Sequence, residues 1–217
     1  MDTPILFEDD SILVIDKPAG LPVLPDGWEQ GSPFIVKNLT PNYGKLFVVH
    51  RLDKGTSGVL ILARNPSSHR TLNILFENHQ IIKKYQAIIN GSPNWIEISA
   101  SYPFKVNSGH EHRTRIDWMK GKQARTNFQV IRSSTAFALI EAIPESGRTH
   151  QIRVHVSALG FPVLGDHLYG APPTLIIQRP ALHAISIQFQ HPVNQQWIEF
   201  SAPYPQDFRL ALSNTVY

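Results

Sequence analysis

The 217-residue chain contains no cysteine. That single absence excludes disulfides, thiolate zinc sites and cysteine nucleophiles. No apolar run approaches the ~20 residues of a membrane-spanning helix. The opening Met1-Asp2-Thr3-Pro4 lacks the basic flank and long apolar stretch of a secretory signal. The expectation is a soluble, cytoplasmic protein with no membrane association. There is no His-Glu-x-x-His, no phosphate loop and no Gly-x-Gly-x-x-Gly. The ten histidines do not compensate. His150 and His155 are five apart, which points them to different faces of a helix. Neither a catalytic metal nor a nucleotide cofactor is expected. Repeats, low-complexity tracts and coiled-coil heptads are also missing, so a monomer is the default.

What is present is ordinary in bulk. The hydrophobic fraction of 42 % suits a globular protein, and the formal net charge is only +3. Distribution says more than the sum. Lys105, Arg113, Arg115, Lys120, Lys122 and Arg125 are set against Glu111 and Asp117, so this one segment is more positive than the whole chain. His110 and His112 add donors. The segment reads either as a solvated hairpin surface or as an arm that contacts phosphates.

The patterning predicts an α+β fold, with a mixed, mostly antiparallel central sheet and inserted helices. Two short strands lie within 4–16, and Lys17-Pro18-Ala19-Gly20 breaks them. A Pro- and Gly-rich loop runs to Pro33, with a short helix from Phe34 to Leu39. Strands follow at Leu46–Val49 and at Val59–Ala63, the latter apolar on both faces and so central. Asn65 as N-cap and Pro66 at the first position begin a helix carrying Leu72, Leu75, Phe76 and His79. Strands are expected over Lys84–Ile89, Arg115–Trp118, Thr126–Ile131 and Ala136–Ile143. A helix begins at Thr149 as N-cap, carries Ile152, Val156 and Leu159, and stops at Gly160. Strands near Ile185–Gln190 and Trp197–Ser201 and a tail helix at Phe208 complete the chain.

Two stretches carry chemistry. In His50-Arg51-Leu52-Asp53-Lys54-Gly55-Thr56-Ser57-Gly58, apolar strands on both sides present a polar loop. Arg51 and Lys54 favour the charged carboxylate of Asp53, which suits a nucleophile or base better than a general acid. The same pattern fits a surface turn with a local ion pair. In Gly147-Arg148-Thr149-His150-Gln151-Ile152-Arg153, cations crowd the start of a helix, where the peptide dipole is positive. An anion there accounts for them, either a phosphate or the Asp53 carboxylate.

Together these stretches resemble the RluA-type family of pseudouridine synthases. His50 to Asp53 with Thr56-Ser57-Gly58 is similar to the family's catalytic motif, and Lys84-Tyr85-Gln86-Ala87 to its second. Gly147 to His155, continuing to Leu164-Gly165-Asp166 and Leu168-Tyr169-Gly170, is similar to the third. Glu8-Asp9 to Lys17-Pro18-Ala19-Gly20, and Leu182-His183-Ala184 with His191-Pro192, add to the likeness.

The resemblance implies an isomerase that converts a uridine in ribosomal or transfer RNA to pseudouridine, without metal or cofactor. It implies RNA rather than DNA as partner, most simply a stem-loop. It also implies one catalytic domain over residues 1–217, with two lobes and no separate N-terminal RNA-binding domain. By the resemblance, Asp53 is the catalytic carboxylate, acting as nucleophile or as base. Tyr85 stacks on the uracil and assists proton removal from its carbon 5. Arg153 pairs with Asp53, and Ile152 forms an apolar wall beside the base. Arg51 fills the gap left by the flipped nucleotide. Arg148, His50 and Thr56 complete the substrate-binding set. Two rival classes remain: a non-catalytic RNA-binding module, and a glycoside-type hydrolase. The hydrolase would want a second carboxylate, for which Glu145 is the nearest candidate.

Overall fold

The structure, a computed structural model, describes residues 3–25, 31–108 and 113–216. His110, Glu111 and His112 of the basic segment lie outside the described residues. In chain order the elements are β1 (Ile5–Glu8), β2 (Ile12–Lys17), α1 (Ile35–Tyr43), β3 (Phe47–Val48), β4 (Ser57–Ala63) and α2 (Pro66–Glu77). Then come β5 (Ile82–Asn90), β6 (Glu97–Ser108), β7 (Arg113–Ile116), β8 (Lys122–Ser133), β9 (Phe137–Pro144) and α3 (Gln151–Ala158). A 3₁₀ turn at His167–Tyr169 precedes β10 (Leu182–Gln190), β11 (Trp197–Ser201) and α4 (Gln206–Ser213). The α+β expectation holds, and the strand pairings within each unit described below are antiparallel.

The chain forms two compact units, Met1–Lys83 with Ala184–Tyr204, and Lys84–His183 with Pro205–Tyr217. In the first, β2 and β4 pair from Ile12↔Ala63 to Lys17↔Gly58. Both strands are apolar on both faces, because Ile12 to Ile15 and Val59 to Ala63 are all fully buried. These strands, with Leu72 and Leu75 of α2 and Ile187 and Phe189 of β10, make the core of this unit. The start of α2 follows the sequence: Asn65 Oδ1 accepts the Ser68 N–H at 2.8 Å, and Pro66 opens the helix. The turn before β2 is tied by Asp9, whose Oδ1 accepts the N–H groups of Ser11 and Ile12, each at 2.8 Å. Its Oδ2 meets His191 Nε2 at 2.8 Å. Burial opposes the Asp9 charge, but the Ile12 and Ser11 N–H groups and His191 outweigh it, so the carboxyl sits below its usual range.

In the second unit the strand order is β5-β9-β8-β6-β7. The sequence assigned no element to 97–108, yet β6 there is one of the longest strands and pairs with β8 along Glu97–Phe104. Serines and Pro103 obscure its alternation. Pro103 has no N–H to give, but its carbonyl accepts from Asp117 at 2.8 Å. β7 ends earlier than expected, at Ile116, because Asp117 Oδ1 takes the N–H groups of Met119 and Lys120 and turns the chain.

The start of α3 also differs. The N-cap is His150, not Thr149, and it adopts the left-handed conformation at φ 55°. No side chain caps the helix, and the Gln151 amide instead ties the preceding loop to β8. Its oxygen accepts the Arg148 N–H at 3.0 Å and the Ser146 hydroxyl at 2.7 Å. Its nitrogen donates to the Arg125 carbonyl at 2.9 Å and to Thr126 Oγ1 at 3.0 Å. Every residue from Gln151 to Val156 is buried, so α3 is a core helix rather than an amphipathic one.

Candidate active site

Asp53 sits between β3 and β4 in the first unit, half-buried on a loop fixed from several sides. Leu52 is buried beneath it, and the Thr56 N–H closes a turn on the Asp53 carbonyl at 3.0 Å. Lys17 reaches from the end of β2 with its whole side chain buried. Its ammonium donates to the carbonyls of Pro18 and Leu21, each at 2.8 Å, and to that of Lys54 at 3.5 Å. The Gly20 N–H also donates to Lys54 O, at 2.7 Å. The Lys17-Pro18-Ala19-Gly20 break is thereby stitched to the Asp53 loop. The sequence marked this segment as a break and as part of the family likeness, but gave no sign of its contact with the Asp53 loop.

On the far side, Gly58 adopts φ +113°, and a Cβ there would collide with the Ala184 backbone. Only glycine meets both demands. Arg51 is exposed, whereas Thr56 and Ser57 are buried. His50 Nε2 accepts the Ile61 N–H at 3.0 Å, and its ring stacks on Phe76 at 4.9 Å. Burial, reinforced by the charge of Lys83, pushes the imidazole down to about 3. His50 is therefore neutral at physiological pH, and it acts as an acceptor that ties the loop to β4. Burial alone pushes Lys83 down to about 8.

The second unit carries the other candidates. Tyr85 lies on β5 opposite Ala142 of β9 and is half-buried. Ile152 and Arg153 are buried on α3, and Arg148 is exposed before it. The Arg153 guanidinium grips Asp166 as a fork, Nε to Oδ2 at 2.6 Å and Nη2 to Oδ1 at 2.8 Å. Its carbon lies 4.9 Å from the centre of the Tyr169 ring. Asp166 is 1 % exposed and follows Gly165, whose φ is +77°. A side chain at Gly165 would strike the Arg179 carbonyl. The Tyr169 hydroxyl accepts the Thr114 N–H at 3.0 Å and meets His150 Nδ1 at 2.8 Å. Burial raises the Tyr169 phenol above its usual value and keeps it protonated.

In the sequence Asp166 stands within the Leu164-Gly165-Asp166 motif, and nothing local gives it a role. The signal was there: an arginine flanked by Ile152 and Val154 in a core helix needs a carboxylate partner. Among the described residues no cluster of His, Cys, Asp or Glu could hold a metal ion. Among these residues no helix is long and apolar enough to cross a membrane.

Residues 11–158 match the family model described as RNA pseudouridylate synthase. The ribosomal large subunit pseudouridine synthase D of Zymomonas mobilis is 35 % identical, over 95 % of this chain and 70 % of that protein. The dual-specificity RNA pseudouridine synthase RluA of Pasteurella multocida is 33 % identical, over 92 % of each. Among solved structures, human RNA pseudouridylate synthase domain containing 4 superposes with a TM-score of 0.79 at 27 % identity, covering 97 % of this chain and 92 % of that one. Human RNA pseudouridylate synthase domain containing 1 follows at 0.77 and 26 %, covering 94 % and 84 %. The chain belongs to the RNA pseudouridine synthases, isomerases that act on RNA. Within them it is of the RluA type.

Proposed function

We propose that this protein isomerises a specific uridine in ribosomal or transfer RNA, with Asp53 as the catalytic carboxylate. The observation that carries the reading is the half-buried Asp53 on a loop held by Lys17, Gly58 and His50. A carboxylate so fixed loses little entropy when it meets its substrate. The reaction conserves every atom of the base and sugar except protons in exchange with water. The bond from ribose carbon 1′ to uracil N1 breaks, and one to carbon 5 forms. The proton on carbon 5 leaves, and N1 gains one. No redox step or energy source is required.

In this reading the target nucleotide leaves its stack to reach Asp53, and the exposed Arg51 takes its place in the RNA. Tyr85 stacks on the uracil and assists loss of the carbon 5 proton. Arg153 serves Asp53 as its cationic partner while Asp166 fixes its orientation, and Ile152 supplies an apolar wall. Arg148 contacts phosphate. His50 and Thr56 complete the binding set by holding the loop. The chain acts as one catalytic domain, as a cytoplasmic monomer, on a stem-loop of RNA rather than DNA. The test is Asp53→Asn with an RNA-binding assay run beside it. Loss of pseudouridine formation with binding retained supports the role, and turnover near the wild-type rate refutes it.

A further inference from the structure

The turn between β7 and β8 presents two large apolar side chains to water. Trp118 is 72 % exposed and Met119 is 91 % exposed. Exposed apolar groups on loose loops are unremarkable, but this turn is built rigidly. Asp117 Oδ1 accepts the N–H groups of Met119 at 3.0 Å and Lys120 at 2.9 Å. The Gly121 N–H returns to Asp117 O at 2.8 Å. Gly121 cannot be replaced without a clash, since a Cβ would lie 2.6 Å from the Pro103 carbonyl carbon.

Beneath the indole runs an aromatic ladder. Trp118 meets Tyr102 edge to face at 6.2 Å and 90°, and Tyr102 lies 5.7 Å from the buried His155 ring. The ladder fixes the indole through its contact with Tyr102 and leaves most of it open.

The charge around it is mostly positive. Arg115, Lys120 and Lys122 are exposed on the same hairpin. The one acid in the turn, Asp117, is occupied by the backbone N–H groups of Lys120 and Met119, which lower its carboxyl below the usual range. A rigid open π surface on a hairpin that also exposes several cations fits a polyanion with accessible π faces. Duplex RNA hides its base faces in the stack, whereas single-stranded RNA offers them.

We propose that the Asp117–Gly121 turn is a stacking platform, on which Trp118 receives an unpaired base of the substrate RNA other than the target uridine. Lys120, Lys122 and Arg115 engage the flanking phosphates. This deepens the proposed function and rests on it for the identity of the substrate. Trp118 is then a binding and specificity residue that plays no part in the chemistry.

The experiment compares the wild type with Trp118→Ala, Trp118→Leu and Trp118→Phe. Binding is read by anisotropy of a labelled single strand of about 12 nucleotides and of a duplex of equal length, at fixed ionic strength. Turnover is read by tritium release from total RNA labelled at uracil carbon 5. Ala and Leu should weaken single-strand binding about tenfold, ~1.4 kcal/mol, and raise KM alike with kcat unchanged. Phe should restore most of both, and melting temperatures and duplex affinity should not move. The Leu and Phe variants keep apolar bulk against Tyr102, so they separate stacking from folding.

Unchanged single-strand affinity in all three variants overturns the platform and reassigns the patch to a protein partner. Equal loss for single strand and duplex also overturns it, as an effect of charge or fold. If the wild-type protein makes no pseudouridine, the proposed function fails alone, because oligonucleotide binding still decides the platform.

Discussion

Arg153 and Asp166 form a two-bond ion pair inside the second unit, with side chains 8 % and 1 % exposed. Removing one partner of such a pair leaves the other charge short of compensation in a poorly solvated site. Asp166→Asn is expected to cost about 3–5 kcal/mol of stability, measured by urea unfolding. Arg153→Lys should also be damaging, because an ammonium cannot span both carboxylate oxygens. A loss under ~1 kcal/mol in both variants would show that the pair contributes little.

Gly58 offers a second test, independent of charge. With φ at +113° and the Ala184 backbone against its Cα, Gly58→Ala must move a backbone segment. The expected cost is at least ~2 kcal/mol. Because Gly58 ends the Asp53 loop, kcat should fall with stability. A variant as stable as the wild type would show that this close approach is not needed.

Stability should depend on pH through two imidazoles, the half-buried His50 and the buried His155. Burial and Lys83 hold His50 down to about 3, and burial holds His155 down to about 4, against an ordinary 6.5. In the unfolded chain both take up protons near 6.5, whereas the folded protein resists until near 3 and 4. The unfolded state therefore binds more protons as the pH falls through this window, and stability drops. The slope is at most ~1.4 kcal/mol per pH unit for each histidine. Denaturant titrations from pH 7 to 4 should show the loss, and His50→Gln and His155→Gln should each reduce the slope. An equal slope in both variants would refute the assignment.

Tyr85→Phe separates stacking from proton transfer. It keeps the ring and removes the hydroxyl, so RNA binding should survive while turnover falls by a factor of ~100 or more. Full activity in single-turnover assays would remove Tyr85 from proton transfer.

Much of this was legible in the residues. The buried strands β2 and β4 announced themselves by apolar runs, and α2 by Asn65-Pro66. Spaced motifs marked the family, which the comparisons bear out. Elsewhere tertiary contacts overrode local pattern. β6 was hidden by Pro103, and α3 starts from a left-handed His150 rather than from Thr149. The Asp166 partner of Arg153 lies thirteen residues along the chain, beyond any local rule. The stitching of Lys17 to the Asp53 loop spans thirty-seven. Contacts of that kind are set by the fold, and spacing does not reveal them.

In the proposed function Asp53 drives uridine isomerisation in RNA. The most direct test of that role is pseudouridine mapping across total RNA from cells lacking this gene, complemented with the wild type or with Asp53→Asn. The expected result is a site, in ribosomal or transfer RNA, whose pseudouridine is lost on deletion. The wild type should restore it, and an equally abundant Asp53→Asn protein should not. Restoration by Asp53→Asn, or an unchanged map on deletion, would contradict the claim.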